Sequence, residues 1–164
     1  MRIAFDLDDT LIPCRYQFPT ESLFPLILRP FLQLFFREKL RKGSRTLLKE
    51  LHHHGNEIWI YTTSLRSSSY LKLWFWLAGI PLHGVVNLIR HAKTMRTHPS
   101  SVANASKYPP AFEINVLIDD SEGVFLEGQR HGFLVVVIMP EDLEWVERVK
   151  DAIKKLSLPT SNLR

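Results

Sequence analysis

The chain predicts an α/β fold in which a mostly parallel five-stranded sheet is flanked by helices, with a small insertion after the first strand. Three observations predict it. Short apolar runs at Arg2 to Leu7, Glu57 to Tyr61, Val85 to Leu88, Ile114 to Ile118 and Phe133 to Ile138 read as continuous rather than alternating, as strands covered on both faces do. Segments with apolar residues at helical spacing separate them, which is the alternation that builds parallel sheets. Polar residues then follow three of the strands directly: Asp6 and Asp8, Thr62, and Asp119 with Asp120. In a parallel sheet all three groups emerge on the carboxyl edge, where ligands bind at the topological switch point.

Taken in order, the first strand runs into three carboxylates, Asp6, Asp8 and Asp9. Residues 13 to 19 read as an irregular excursion. Residues 21 to 40 carry one or two short helices interrupted by Pro25 and Pro30, because proline removes a donor and clashes with the preceding turn. Gly43 opens a helix with Leu47, Leu48 and Leu51 on one face, and Gly55 stops it. After the strand at 57 to 61, a helix spans 66 to 78, rich in Leu71, Trp74, Phe75 and Leu77 and closed by Gly79 and Pro81. Its aromatics are expected to pack on the sheet. Residues 89 to 105 read as loop with a turn or two of helix. A helix at about 121 to 131 and a final amphipathic helix at about 141 to 156, with Leu143, Val146, Val149 and Ile153, complete the pattern. No repeat, low-complexity tract or linker divides the 164 residues, so they are expected to form a single domain.

Composition narrows the class. Hydrophobic residues make 45% and charged residues 23% of the chain, the balance of a soluble globular protein. The most apolar stretch, Leu23 to Phe36, is broken by Pro25, Arg29, Pro30 and Gln33 and is shorter than the ~20 residues of a membrane span. Acids at position 6 and beyond argue against a secretory signal. One cysteine, Cys14, has no internal partner, which fits a reducing cytoplasm. The net charge of +4 is concentrated in Arg37, Lys39, Arg41, Lys42, Arg45 and Lys49, and again in Arg90, His91, Lys93, Arg96 and His98. Such patches attract phosphorylated substrates, nucleic acid or anionic surfaces, although solvated helix faces have the same composition.

Clustered acids at a strand end need a cation or a proton between them, since like charges this close repel. Asp6 and Asp8, two residues apart, can be turned toward one point. One carboxylate can then attack while the other shuttles a proton, and both can help to hold a hard cation through oxygen.

These residues resemble the haloacid dehalogenase (HAD) superfamily of aspartate-nucleophile phosphatases, whose fold is Rossmann-like. Phe5-Asp-Leu-Asp-Asp-Thr-Leu11 has the D-x-D-x-T pattern of the first motif; Ile58-Trp-Ile-Tyr-Thr62 matches the apolar strand ending in Thr; and Val116-Leu-Ile-Asp-Asp120 matches the strand ending in paired acids. The resemblance spans about residues 1 to 140. It implies a Mg²⁺-dependent phosphomonoester hydrolase. Asp6 would attack phosphorus to give an aspartyl-phosphate, and Asp8 would protonate the leaving oxygen and then take a proton from water. Mg²⁺ would bind Asp6, the backbone carbonyl of Asp8 and Asp120, with Asp119 in support. Thr62 and a backbone amide near Thr63 would hold phosphate oxygens. The motif lysine is expected at Lys107, with Lys93 as the alternative. Lys107 lies close to Asp119, and Pro109-Pro110 leave little room for the helix usual in between.

The insertion at residues 13 to 42 is short for a cap domain, so the resemblance implies a capless or minimal-cap site, covered by a flap or by a homo-oligomer. The substrate expected is a phosphorylated small molecule, with phosphoprotein or nucleic-acid ends as the alternative and no membrane partner. A non-catalytic binding module on the same fold is the rival from another class; the presence of every motif acid argues against it. His52 to His54 point in different directions on a helix and read as a polar helix end rather than a metal site.

Overall fold

The computed structural model describes residues 1–22, 24, 36 and 38–158. β1 (Arg2–Phe5) is followed by a short antiparallel pair, β2 (Thr20–Glu21) and β3 (Leu40–Arg41), at the two ends of the insertion. The helices foreseen between them lie outside the described residues. The chain continues through α1 (Ser44–His53), β4 (Glu57–Tyr61), α2 (Ser68–Leu77), β5 (Gly84–Val86), α3 (Leu88–Met95) and α4 (Ser100–Ala103). A 3-10 turn at Pro109–Phe112 leads into β6 (Val116–Asp119), α5 (Glu122–His131), β7 (Leu134–Val137) and α6 (Trp145–Ser157).

The five-stranded sheet has the order β5-β4-β1-β6-β7, and every neighbouring pair is parallel. Phe5 pairs with Ile60 on one side and Ile118 on the other. The chain moves outward from β1 to β5, then returns to the far side of β1 at β6. The switch point therefore falls between β1 and β6, where a crevice opens beyond the carboxyl ends.

Side chains alternate across the sheet as the pleat requires. Ile3, Phe5, Ile58, Ile60, Val116 and Ile118 face a layer built from Leu47, Leu51, Leu71, Trp74, Val149 and Ile153. Ala4, Trp59, Tyr61 and Leu117 face the other layer, with Phe112, Val124 and Phe133. Both faces of the central strands are dry, which is why they read as unbroken apolar runs.

Beyond shifts of one or two residues at β1, α2 and β7, the boundaries depart from expectation for local reasons. β5 ends at Val86, because Asn87 caps a helix: its side chain accepts from the Arg90 amide at 3.0 Å. Leu88 thus opens α3, with the exposed Ile89 after it, rather than closing a strand, and the stretch 89 to 105, expected as loop with a turn or two of helix, is largely the two helices α3 and α4. β6 begins at Val116 rather than Ile114, since Ile114 still closes the proline turn through its amide to the Pro109 carbonyl at 3.2 Å. The last helix starts at Trp145 rather than Glu141: Asp142 forms a turn, its amide on the Met139 carbonyl and its carboxylate accepting from the Glu144 amide. Among the described residues no helix is long and apolar enough to cross a membrane.

Candidate active site

β1 delivers Asp6 to the crevice. The Asp6 amide still donates to the Ile118 carbonyl at 2.8 Å, so the residue keeps strand geometry one position past Phe5. The chain then folds back on itself. The Leu11 and Ile12 amides both donate to the Leu7 carbonyl, and the Asp9 amide donates to the Ile12 carbonyl. Asp9 adopts a left-handed φ of 61°, and its buried carboxylate accepts from the amides of Cys14, Arg15 and Tyr16 at 2.7–3.0 Å and from Arg15 Nε at 2.8 Å. The third acid of the cluster is thus the clamp of the loop that presents the other two.

Lys107 reaches the same point from the other side of β1. It is only 4% exposed, and its Nζ donates to Asp6 Oδ1 at 2.5 Å and to Asp119 Oδ2 at 2.7 Å. Burial of the ammonium disfavours its charge, but the two carboxylates outweigh burial and raise its pKa above the ordinary lysine value. For Asp6, burial dominates and the neighbouring Asp119 adds to it, against the pull of Lys107, so its pKa rises to about 7. Asp120 is also raised, by burial and by Asp119, while the Thr10 hydroxyl, which donates to its Oδ1 at 3.1 Å, draws it back. Asp119 spends its other oxygen on the Ser121 amide at 2.9 Å, which ties β6 to the start of α5.

Ligand oxygens of Asp6, Asp119 and Asp120 lie within 4.8 Å of one another. Two of the carboxylates pair with the buried ammonium and the third, Asp120, has the exposed Arg15 at 4.0 Å; the oxygen-only donor set is the kind that hard divalent cations take. The upward push on Asp6 and Asp120 has the sign that a bound cation reverses. The residues therefore fit Mg²⁺.

Asp8 stands at the mouth. Its carboxylate is not in that cluster: Arg66 Nη1 contacts both its oxygens, at 2.9 and 3.0 Å, and the same guanidinium donates to Glu38 Oε1 from Nε and Nη2 at 2.9 and 2.6 Å. Thr62, buried at the end of β4, accepts from the Ser64 amide at 3.1 Å, and its hydroxyl lies 3.4 Å from Asp8 Oδ2. Thr63 is exposed beside it. Lys93 points outward from α3 as an exposed residue, so Lys107 rather than Lys93 meets the acids. Thr10 is the threonine of the D-x-D-x-T motif, whereas nothing in local pattern assigns a role to Ser64, Arg66 or its partner Glu38.

A parallel sheet of this order, with the acids of β1 and β6 converging on a buried lysine at its carboxyl edge, has the Rossmann-like architecture of the HAD superfamily, and the chain has a HAD-like fold. Two solved structures carry the same fold. The chain is similar to the HAD domain of effector protein Lem4 from Legionella pneumophila (an inactive mutant), with a TM-score of 0.51 and 13% identity, over 96% of this chain and 98% of that one. A HAD-superfamily hydrolase from Ehrlichia chaffeensis gives a TM-score of 0.51 and 13% identity, over 94% and 96%. A chain in the structure of a Pnkp1/Rnl/Hen1 complex aligns at a TM-score of 0.49 and 13% identity, over 86% of this chain but 46% of that one, so this chain spans less than half its length. The chain matches no protein-family model and no curated protein sequence.

Proposed function

We propose that the protein is a Mg²⁺-dependent phosphomonoester hydrolase that works through an aspartyl-phosphate on Asp6. The observation that carries this reading is the buried Lys107 ammonium held between Asp6 and Asp119, with Asp120 within metal-sharing distance. Lys107 occupies Oδ1 of Asp6, which aims the carboxylate and leaves its other oxygen as the nucleophile. That oxygen forms the new bond to phosphorus as the bond to the leaving oxygen breaks. Asp8 gives its proton to that leaving oxygen. It then removes a proton from the water that attacks the aspartyl-phosphate and regenerates Asp6. Thr62 and the amide of Thr63 bind phosphate oxygens, and Lys107 offsets charge that builds on them. Mg²⁺ would be held by Asp6, the Asp8 main-chain carbonyl and Asp120, with Asp119 supporting, and would supply charge neutralisation between carboxylates and phosphate. The free, exposed Cys14 supports a reducing, cytoplasmic setting.

The test is hydrolysis of a generic aryl phosphate by the purified chain with and without Mg²⁺, beside Asp6→Asn. Metal-dependent turnover that Asp6→Asn abolishes is the expected result. Turnover that survives in the variant would remove the covalent mechanism, and failure to bind Mg²⁺ at all would leave a non-catalytic module.

A second reading concerns the substrate. Leu65, Leu88 and Ile89 are exposed next to the basic Lys93 and Arg96, and the Leu88 amide donates to the Ser64 carbonyl at 3.2 Å, which ties this patch to the Thr62 loop. Aliphatic side chains with a basic rim favour a phosphopeptide bearing an acidic and an aliphatic residue. Single-stranded nucleic acid is bound by aromatic stacking platforms instead. Leu65→Ser with Ile89→Ser should raise KM for such a peptide and leave aryl phosphate hydrolysis unchanged.

A further inference from the structure

The segment that carries Lys107 has no helix or strand of its own: Ala105 to Tyr108 lie between α4 and the proline turn. Such a segment places an ammonium against two carboxylates only if something else fixes its backbone. On one side Glu127 of α5 does so. Its carboxylate accepts from the Ser106 amide at 3.1 Å and the Ser106 hydroxyl at 2.7 Å. On the other side stand two buried polar residues that the proposed reaction does not use, Tyr61 at the end of β4 and His91 on α3.

Their hydrogen bonds order themselves. The Tyr108 amide donates to the Tyr61 hydroxyl at 2.8 Å. An amide can only donate, so Tyr61 accepts there and keeps its own proton to give. The His91 Nδ1 lies 2.6 Å away and takes that proton if it carries a lone pair. His91 is then the neutral tautomer with hydrogen on Nε2. Burial disfavours the imidazolium and holds the ring in this state, and burial likewise keeps the Tyr61 phenol protonated. The charged groups near His91 are Glu127 and Lys107, of opposite sign. The Tyr61 ring is itself braced edge-on by Phe112, with centroids 5.5 Å apart. The outcome is a chain of hydrogen bonds, from His91 through Tyr61 to the Tyr108 amide, that grips the lysine segment one residue beyond Lys107.

We propose that Tyr61 and His91 are positioning residues for Lys107: the pair sets the backbone of residues 105–108 so that a single ammonium reaches Asp6 and Asp119 together. They touch neither substrate nor metal and act only through the lysine. The kinetic part of this inference rests on the hydrolase reading above; the tautomer does not.

Two measurements test it. Nitrogen-15 NMR of the imidazole side chains in the intact protein should show His91 with a bare Nδ1 and a protonated Nε2 near neutral pH; a protonated Nδ1 would overturn the hydrogen-bond chain whether or not the protein is an enzyme. Turnover of an aryl phosphate is then compared in Tyr61→Phe, His91→Leu and His91→Asn. Misplacing a catalytic group by about 1 Å costs roughly 100-fold in rate, so Tyr61→Phe and His91→Leu should lose about 10- to 100-fold in kcat while far-ultraviolet circular dichroism stays native, since Glu127 still anchors the segment. His91→Asn presents an amide oxygen where Nδ1 was, and should recover part of what His91→Leu loses. Wild-type kcat in Tyr61→Phe, or equal losses in the two His91 variants, would overturn the positioning role. Should Tyr61→Phe fail to fold, the His91 pair decides alone. An inactive wild-type chain with the expected tautomer would sink the hydrolase reading and keep the clamp.

Discussion

Arg66 holds Asp8 by a single nitrogen. Nη1 lies 2.9 Å from one carboxylate oxygen and 3.0 Å from the other, while Nε and Nη2 are both turned to Glu38. Both residues of the pair are about a quarter exposed, so the contact is worth little as a stability element. Its effect is on direction: in the proposed reaction Asp8 serves a leaving oxygen and then a water, and a carboxylate free to rotate would do both badly.

Arg66→Leu is therefore expected to lower kcat on an aryl phosphate by about 10- to 100-fold, the scale of a misaligned catalytic group, with Tm changed by only a few degrees. Glu38→Gln, one contact further out, should lose less. Steady-state kinetics beside thermal unfolding separate the two effects. Wild-type kcat in Arg66→Leu would show that Asp8 needs no such hold.

Asp9 gives a prediction in pH. Burial alone would push its carboxyl up, but the amides of Tyr16, Cys14 and Arg15 and the Arg15 side chain outweigh burial and hold it below the ordinary value. A depressed carboxyl contributes stability that is complete above its unfolded pKa and is lost as pH falls through the folded one. Asn tolerates the left-handed φ at this position and keeps one acceptor oxygen, so Asp9→Asn removes chiefly the charge. At pH 7 it should destabilise by about 1–3 kcal/mol, the range for weakened hydrogen bonds to a buried group. The gap between variant and wild type should narrow below about pH 4, where the unfolded carboxyl protonates. Denaturant titrations at pH 7 and pH 3.5 give the comparison.

These two acids also show where the sequence is informative. Asp6, Asp8 and Asp119–Asp120 were legible because each follows an apolar run directly, and a parallel sheet brings all such positions to one edge. Asp9 sits in the same cluster, yet its role depends on a backbone reversal that only the amides of residues 14 to 16 reveal. Lys107 is expected through resemblance to a motif; Tyr61 reads only as a strand end and His91 as part of a basic patch, although the structure buries it, since a hydrogen bond across 30 positions leaves no local period. Leu88 misled for the opposite reason. It is apolar enough to read as a strand end, but Asn87 caps a helix there, and local capping chemistry prevailed over hydrophobic pattern. Arg66 and Glu38 are 28 positions apart and joined only by charge, which no spacing rule detects.

Gly84 tests the packing beneath the site. A Cβ there would fall 2.4 Å from three ring atoms of Trp59 on the neighbouring strand. The indole is not free to withdraw, since Arg2 and Arg90 lie over it at 4.6 and 5.3 Å and its Nε1 donates to Glu57 at 3.2 Å. Gly84→Ala should cost about 1–3 kcal/mol, as overpacked cores do. Trp59→Leu in the same chain should return much of it. A Gly84→Ala variant as stable as wild type in urea would mean that β5 can shift away from β4 at no cost.

The last prediction concerns the charge balance at the crevice. Lys107 pairs with Asp6 and Asp119, while Asp120 beside them has the exposed Arg15 at 4.0 Å, and burial pushes Asp6 and Asp120 up. Lys107→Met leaves three buried or half-buried acids without that cation, and breaking a buried ion pair from one side costs about 3–5 kcal/mol. Asp6→Asn works in the other direction: it removes a carboxylate that burial disfavours, so the metal-free variant should keep most of its stability at pH 7 although its turnover is gone. An ion that binds only the folded chain stabilises by mass action, by about 2.7 kcal/mol at a hundred times its Kd. Mg²⁺ should thus raise the Tm of wild type and recover part of the loss in Lys107→Met, and it should do much less for Asp120→Asn, which lacks a ligand. Thermal unfolding of the four proteins with and without Mg²⁺ reads all of these shifts. An Asp120→Asn variant that responds to Mg²⁺ as fully as wild type would move the ion away from Asp120 and leave that residue as a partner of Thr10 and Arg15.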